Sequence, residues 1–169
     1  MTDLPLSEPV RLHQVGAGVS RRLEPDAEAR AAIARVLDLQ AVDAFVCDVT
    51  IAPSPGGFRL DGHLSVRAVQ TCGLTLEPLP VEIERDFSLR IVEAVESDGD
   101  EIVIDPDAEH DPDLAEDGRV DLGQYAVEQL SLALDPFPRK PGAEFVQPEE
   151  PAEISPFAVL RQLHPDDKG

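Results

Sequence analysis

The stretch that decides the fold is FRLDGHLSVRAVQTCGLTLEPLPVEIERDFSLRI, residues 58–91. It holds two runs in which apolar and polar side chains alternate, 58–68 and 79–91, joined by a short segment around Cys72. Because successive side chains of a β-strand point to opposite faces of the sheet, each run predicts a strand with one buried face. The short connection predicts antiparallel pairing. Arg85 falls among the inward positions of the second run, which predicts a bulge or a strand end there.

The flanking segments predict a further strand and two longer helices. Residues 41–51 are apolar on both parities, which is typical of a central strand, and the Pro/Gly cluster at 53–57 predicts a turn. Residues 25–37 and 122–134 have apolar side chains at three- and four-residue spacing, which predicts two helices, the second capped by Asp121. We therefore expect an α+β fold, an antiparallel sheet of about four to six strands packed by two helices, with an open barrel as an alternative form of the sheet.

The acidic segment and the C-terminus set the expected domain limits. Residues 93–117 hold twelve acids and no Lys or Arg, and so little apolar surface predicts a mobile acidic loop at about 93–119. A single domain is expected over 1–138. An acidic linker and a short C-terminal helix, starting at Pro156, are expected within 139–169.

Charge and composition bound the partners. The 169 residues carry a net charge of −20, from 34 acids and 14 bases, and aromatic residues make up 4% with no Trp. A net-basic surface for phosphate is therefore excluded, although a local basic patch is not, and few aromatics are offered for stacking on bases. Acidic charge favours a Lys- or Arg-rich protein partner. With no apparent signal peptide, no apolar run of membrane-spanning length and only two cysteines, we expect a bacterial-type cytoplasmic protein with no membrane partner.

Few sequence motifs point to a catalytic or metal-binding function. We find no paired carboxylates, Gly-rich phosphate loop or Ser-His-Asp order, so we expect no enzyme, no catalytic residue, no cofactor and no small-molecule substrate. Cys72 could be a nucleophile, a metal ligand or a buried small residue. Its sequence neighbours supply no cation that would lower the thiol pKa, and two cysteines with four scattered histidines form no zinc motif. A structural role is favoured, and Cys72 stays the one candidate for a metal- or thiol-dependent site.

Three bases share the outward face of the first alternating run: Arg59, His63 and Arg67. Residues two apart on a strand point to the same face, so these side chains form one row. The outward positions of the second run are acidic at Glu82, Glu84 and Asp86. Neutral cross-strand pairs are the favoured interpretation, and contacts to an RNA or protein partner are the alternative.

Two separated segments carry a resemblance to a known family. The first is Gln-Thr-Cys-Gly-Leu-Thr-Leu-Glu-Pro at 70–78, and the second runs from Asp-Leu at 121–122 to Ala-Leu-Asp-Pro at 133–136. Together with Pro-Phe-Ala-Val-Leu at 156–160, they make the chain resemble the YceD family, the large ribosomal RNA subunit accumulation proteins, and in particular its alphaproteobacterial branch. The resemblance covers residues 20–163. The positions that match the family motif are Cys72, Thr75, Leu76, Glu77, Pro78, Asp121, Leu122, Glu128, Leu130, Pro136, Pro156 and Phe157.

The resemblance implies a role in synthesis, processing or stability of large-subunit ribosomal RNA, without known catalysis. It implies ribosomal RNA or pre-large-subunit particles as partners, and the acidic charge adds a basic protein as a possible intermediary. Many family members carry a Cys-x-x-Cys pair at the strand turn, which prompted a metal-binding suggestion. Here Cys72 matches the later cysteine while Val69 stands at the earlier position, which argues against zinc. We therefore expect a non-catalytic ribosome-biogenesis factor that acts by binding, the alternative being a metal- or thiol-dependent binding protein centred on Cys72.

Overall fold

A computed structural model describes residues 5–93 and 112–144, which form an α+β fold. The helices and strands, in chain order, are β1 (Pro9–Arg11), β2 (Val19–Leu23), α1 (Ala27–Val36), β3 (Ala41–Ser54), β4 (Gly57–Thr71), β5 (Pro78–Glu93), β6 (Asp113–Ala115), β7 (Arg119–Asp121) and α2 (Leu122–Ala133). Neither helix is long and apolar enough to cross a membrane, within the residues described.

The main sheet has five strands in the order β2-β3-β4-β5-β6. Its pairs are antiparallel except for β5 and β6, which run parallel. The sheet is open, because β2 and β6 form its two edges, and β1 and β7 pair in a separate two-stranded antiparallel sheet. The predicted α+β class and the number of strands are confirmed, and the predicted antiparallel pairing holds except between β5 and β6. The predicted C-terminal helix, with Pro156 and Phe157, lies outside the described residues.

Long hairpins form the centre of the sheet. β3, β4 and β5 contain 14, 15 and 16 residues, and the connection between β3 and β4 is Pro55-Gly56. Gly56 has a φ of 77°, which suits the third position of a type II turn, and proline suits the second. The turn predicted from the Pro/Gly cluster is therefore confirmed.

The core lies between one face of the sheet and the helices. The inward positions predicted for β4 are buried at Leu60, Leu64, Val66 and Ala68. α1 contributes Ile33, and α2 contributes three fully buried side chains: Leu122, Ala126 and Leu130. The period-two pattern thus predicted the buried face correctly, because only one face of β4 meets the core.

The bulge predicted at Arg85 is wrong. β4 and β5 pair without a register shift along their whole length, and Arg85 lies opposite Leu64 on the inward face. Its side chain is half-buried, and an arginine can lay its methylene groups on apolar surface while its charge reaches water. The sheet has its irregularity in β3 instead, between Val42 and Ala44.

Most of the predicted acidic loop, residues 94–111, lies outside the described residues. The end of that range forms structure: β6 pairs its three residues with Ile91–Glu93, and β7 begins at Arg119. Asp117 and Gly118, between β6 and β7, both have positive φ, which lets the chain reverse there. A three-residue strand with an acid at its first position carries no alternation that sequence analysis could detect.

Candidate functional site

The connection between β4 and β5 is a closed turn around Cys72, which we call the cysteine turn (residues 70–78). The Cys72 backbone N–H donates to the Glu77 carbonyl at 2.9 Å, and the Leu76 N–H donates to the Cys72 carbonyl at 2.9 Å. Leu76 adopts a left-handed φ of 59°, which is uncommon for a residue with a large side chain. Two backbone hydrogen bonds therefore close the turn around Cys72.

The segment that follows α2 lies against the cysteine turn, and we call it the docked segment (residues 135–140). The Gln70 side-chain amide donates to the Asp135 carbonyl at 2.9 Å. The Gly73 N–H donates to the Pro138 carbonyl at 2.8 Å. Gln70 is buried, so its bond to the backbone is protected from water. The two segments that carry the family resemblance are thus in direct contact.

The sulfur of Cys72 accepts hydrogen bonds from both segments. The Lys140 N–H donates to Sγ at 3.3 Å. Hydrogen bonding by the Thr75 hydroxyl, then by the backbone N–H groups of Lys140, Thr75 and Leu74, lowers the pKa of the Cys72 thiol from 9.0 to about 6, although burial acts in the opposite direction. The donors around the sulfur thus favour the charged form of the thiol.

An ion pair also joins the cysteine turn to the docked segment. The Lys140 ammonium is 3.0 Å from a Glu77 carboxylate oxygen, and hydrogen bonding to this ammonium lowers the pKa of Glu77. Both side chains are about half exposed, so this pair contributes little to stability by itself. It adds a fourth contact between the docked segment and the cysteine turn.

Nucleophilic or metal chemistry at Cys72 is opposed by its surroundings. The Cys72 side chain is 0% exposed, so a reagent cannot reach the thiolate unless the turn opens. No group of three His, Cys, Asp or Glu side chains is arranged to hold a metal ion in the ranges 5–93 and 112–144. The neighbours of the sulfur are N–H and O–H donors, which complement an anion rather than a cation. Chemically, this arrangement favours the charged form of a buried thiol.

Stability is expected to depend on pH through Cys72. The pKa of its thiol is about 6 in the folded protein and 9.0 ordinarily, so its stabilisation is complete above pH 9 and is lost as the pH falls to 6. The difference in free energy of unfolding between the wild type and Cys72→Ser should therefore grow from pH 6 to pH 9 in denaturant titrations. Cys47→Ser is the matched control, because burial raises the pKa of the Cys47 thiol to about 12. A difference that stays flat for Cys72→Ser would contradict the prediction.

The three predicted outward bases lie on the exposed face of the sheet. His63 sits between two acids of β5, with Nδ1 2.7 Å from Asp86 and Nε2 3.1 Å from Glu84. Its hydrogen bond to Asp86 raises the pKa of His63. These contacts are the cross-strand pairs that the favoured interpretation predicts.

Arg59 and Arg67 are placed differently along β4. The Arg59 Nε donates to Asp61 at 2.9 Å and to Ser88 at 3.1 Å. Arg67 lies directly opposite Glu82 on β5. A role for Arg59, His63 and Arg67 in contacting a partner stays a prediction.

The region that holds β5, the cysteine turn and α2 matches a known family. The family model described as Large ribosomal RNA subunit accumulation protein YceD matches residues 60–164. The chain belongs to the YceD family. No curated protein and no solved structure matches it. The YceD match begins within β4 and includes every predicted motif position, whereas β1, β2, β3 and α1 precede it.

Several YceD motif positions hold the fold together. Leu122 and Leu130 are fully buried in the core. Asp121 is the N-cap of α2, and its Oδ1 accepts from the N–H groups of Gly123 and Gln124. Glu128, one turn further on, accepts from the Gln124 amide at 2.7 Å. These contacts give the helix its start and its packing.

Two large apolar side chains of this region are exposed, and we call them the apolar pair (Leu76 and Phe137). Leu76, in the cysteine turn, is 74% exposed, and Phe137, in the docked segment, is 76% exposed. Sequence reasoning missed Phe137 and the bonds of Gln70 and Lys140. A signal for Phe137 was present, since it stands between Pro136 and Pro138, where no helix could bury it.

Proposed function

We propose that the protein is a non-catalytic ribosome-biogenesis factor that supports synthesis, processing or stability of large-subunit ribosomal RNA by binding. Membership of the YceD family supports the connection to this RNA. The buried, hydrogen-bonded Cys72 supports a binding role over a reactive one, because the cysteine turn is built as a fixed surface.

The observation that carries the proposal is the exposed apolar pair on that fixed surface. One of its members belongs to each segment, and the segments are joined by hydrogen bonds between Gln70 and Asp135 and between Gly73 and Pro138. Exposed large apolar side chains on rigid backbone are typical of protein–protein contact points. We therefore place a partner protein at Leu76 and Phe137.

Charge indicates what kind of protein this partner is. The net charge is −20, and residues 94–111 alone hold eight acids and no Lys or Arg. A Lys- and Arg-rich ribosomal protein is attracted by such charge, whereas RNA phosphate is repelled over most of the surface. We propose a basic large-subunit protein on pre-large-subunit particles in the cytoplasm.

A crosslinked pull-down from cell lysate, with and without nuclease, tests this proposal. We expect basic large-subunit proteins to be recovered after nuclease treatment with the wild type, and to be lost with Leu76→Ala/Phe137→Ala. Both side chains are mostly exposed, so their truncation should leave the thermal unfolding midpoint nearly unchanged.

The matched control is Leu114→Ala, because Leu114 is 51% exposed but lies on β6, which pairs with the end of β5 furthest from the cysteine turn. It should retain the partner. Recovery of RNA alone, or equal loss in the control and the double variant, would overturn the assignment of the partner to the apolar pair.

The alternative function, a metal- or thiol-dependent site at Cys72, has one observation in its favour, the lowered pKa of the thiol. Burial of the sulfur and the absence of a set of three metal-ligating side chains in the described ranges oppose it. Elemental analysis of the purified protein separates the two functions, since stoichiometric zinc would favour the alternative.

A further inference from the structure

A groove of about 380 Å³ is lined by residues of β1, β2 and β7. We call it the arginine groove. Its charged lining consists of Arg11, Arg21 and Arg119, with Gln14 as a further polar group. β7 leads directly into the start of α2, whereas the docked segment follows its end. α2 has twelve residues, so its two ends are about 18 Å apart. Neither the family motif nor the apolar pair includes any of these residues.

The arrangement of two of the arginines is electrostatically unfavourable in the free protein. Arg11 and Arg119 face each other directly across the antiparallel pair β1–β7, and both are exposed. Like charges opposite each other destabilise a sheet.

Arg21 adds a third guanidinium from β2. Its Nε is 3.0 Å from Glu8, and its Nη1 donates to the Ser20 carbonyl. The contact between Arg21 and Glu8 is an ion pair, and no ion pair among the described residues involves Arg11 or Arg119. Glu8 neutralises Arg21, and the charges of Arg11 and Arg119 remain, so the groove is locally positive.

We propose that the arginine groove binds the phosphate backbone of single-stranded RNA, with Arg11 and Arg119 each contacting a phosphate. Guanidinium groups match phosphate oxygens by paired N–H donors. The few aromatics of the chain fit backbone contact better than base stacking. This inference rests on the proposed function: the apolar pair would hold a protein of the particle while the groove holds its RNA.

Fluorescence anisotropy of the full chain with a labelled, mixed-sequence single-stranded RNA tests the groove. We expect the wild type to bind with a slope of log affinity against log salt of about −1.4, as two phosphate contacts predict. Arg11→Gln/Arg119→Gln should weaken binding about tenfold at low salt and bring the slope close to zero. The thermal unfolding midpoint of this variant should be unchanged or raised, since a repulsive pair is removed.

The matched control is Arg59→Gln/Arg90→Gln, because these two arginines also face each other across neighbouring strands, β4 and β5. It removes the same charge and should keep the affinity within about twofold. Loss of RNA binding in the control alone would place RNA on the exposed sheet face and overturn the proposal. Equal loss in both variants, or no RNA binding by the wild type, would also overturn it.

An acidic protein segment is the competing occupant, and a poly-glutamate peptide in the same assay represents it. Tighter binding of that peptide than of RNA at equal salt would overturn the RNA assignment. Failure of the groove can be told from failure of the proposed function, because recovery of a basic protein after nuclease treatment depends on Leu76 and Phe137 and not on the arginines.

Discussion

Replacing Asp121 by alanine is expected to lower the free energy of unfolding by about 3 kcal/mol. The Oδ1 of Asp121 accepts the N–H groups of Gly123 and Gln124 at 2.9 and 3.1 Å, which caps α2. The same carboxylate accepts the Glu8 N–H at 2.8 Å and the Ser7 hydroxyl. Alanine therefore removes a helix cap and two side-chain bonds that tie the N-terminal segment to the start of α2 in one step. Denaturant unfolding followed by circular dichroism measures the change.

Two further variants set the scale for this cost. Asp121→Asn keeps an acceptor at the cap and should cost about 1 kcal/mol or less. Asp26→Ala removes the N-cap of α1 and should cost about 1 kcal/mol. The Asp26 side chain accepts from the Ala29 N–H alone. A cost for Asp121→Ala no larger than that of Asp26→Ala would contradict the predicted tie.

Replacing Gly62 by alanine is expected to lower the free energy of unfolding by about 2 kcal/mol. Gly62 lies in β4 opposite Phe87 of β5, and an added Cβ would stand 2.2 Å from the Phe87 Cζ. The phenyl ring of Phe87 thus packs over Gly62 and fills the space that a side chain at this position would need. Alanine forces the ring out of the packed face of the sheet, and denaturant unfolding again gives the cost.

A double-mutant cycle tests whether the ring is the cause. Phe87→Ala alone should cost about 3 kcal/mol, and adding Gly62→Ala to it should cost little more, because the clashing atoms are gone. Gly73→Ala is the control, since its added Cβ would meet only the Pro138 carbonyl oxygen at 3.7 Å. Additive costs for Gly62→Ala and Phe87→Ala would show that the ring does not require the glycine.

The sheet was predictable because its signal is local. Alternation along 58–68 and 79–91 reports which side chains meet the core, and the burial of Leu60, Leu64 and Val66 follows that pattern. Arg85 broke the pattern without breaking the strand, because a long side chain can leave the core at its rim. The alternation shows which residues are polar, but it does not show where the end of a long, flexible side chain lies.

The cysteine turn was recognisable in sequence, but its chemistry was not. The neighbours of Cys72 in the chain supply no cation, so an ordinary thiol pKa was the reasonable expectation. The donor from Lys140 comes from 68 residues further along the chain, and only the packing of the docked segment brings it to the sulfur. The position of Arg11 opposite Arg119 was also not predictable from sequence neighbours, because β1 and β7 are short strands from opposite ends of the described chain.

The most direct test of the proposed function is the ratio of large- to small-subunit ribosomal RNA in cells that lack the protein and in cells complemented with its variants. We predict that the ratio falls without the protein, is restored by the wild type and by Leu114→Ala, and is not restored by Leu76→Ala/Phe137→Ala. An unchanged ratio in cells that lack the protein would contradict a role in large-subunit RNA accumulation.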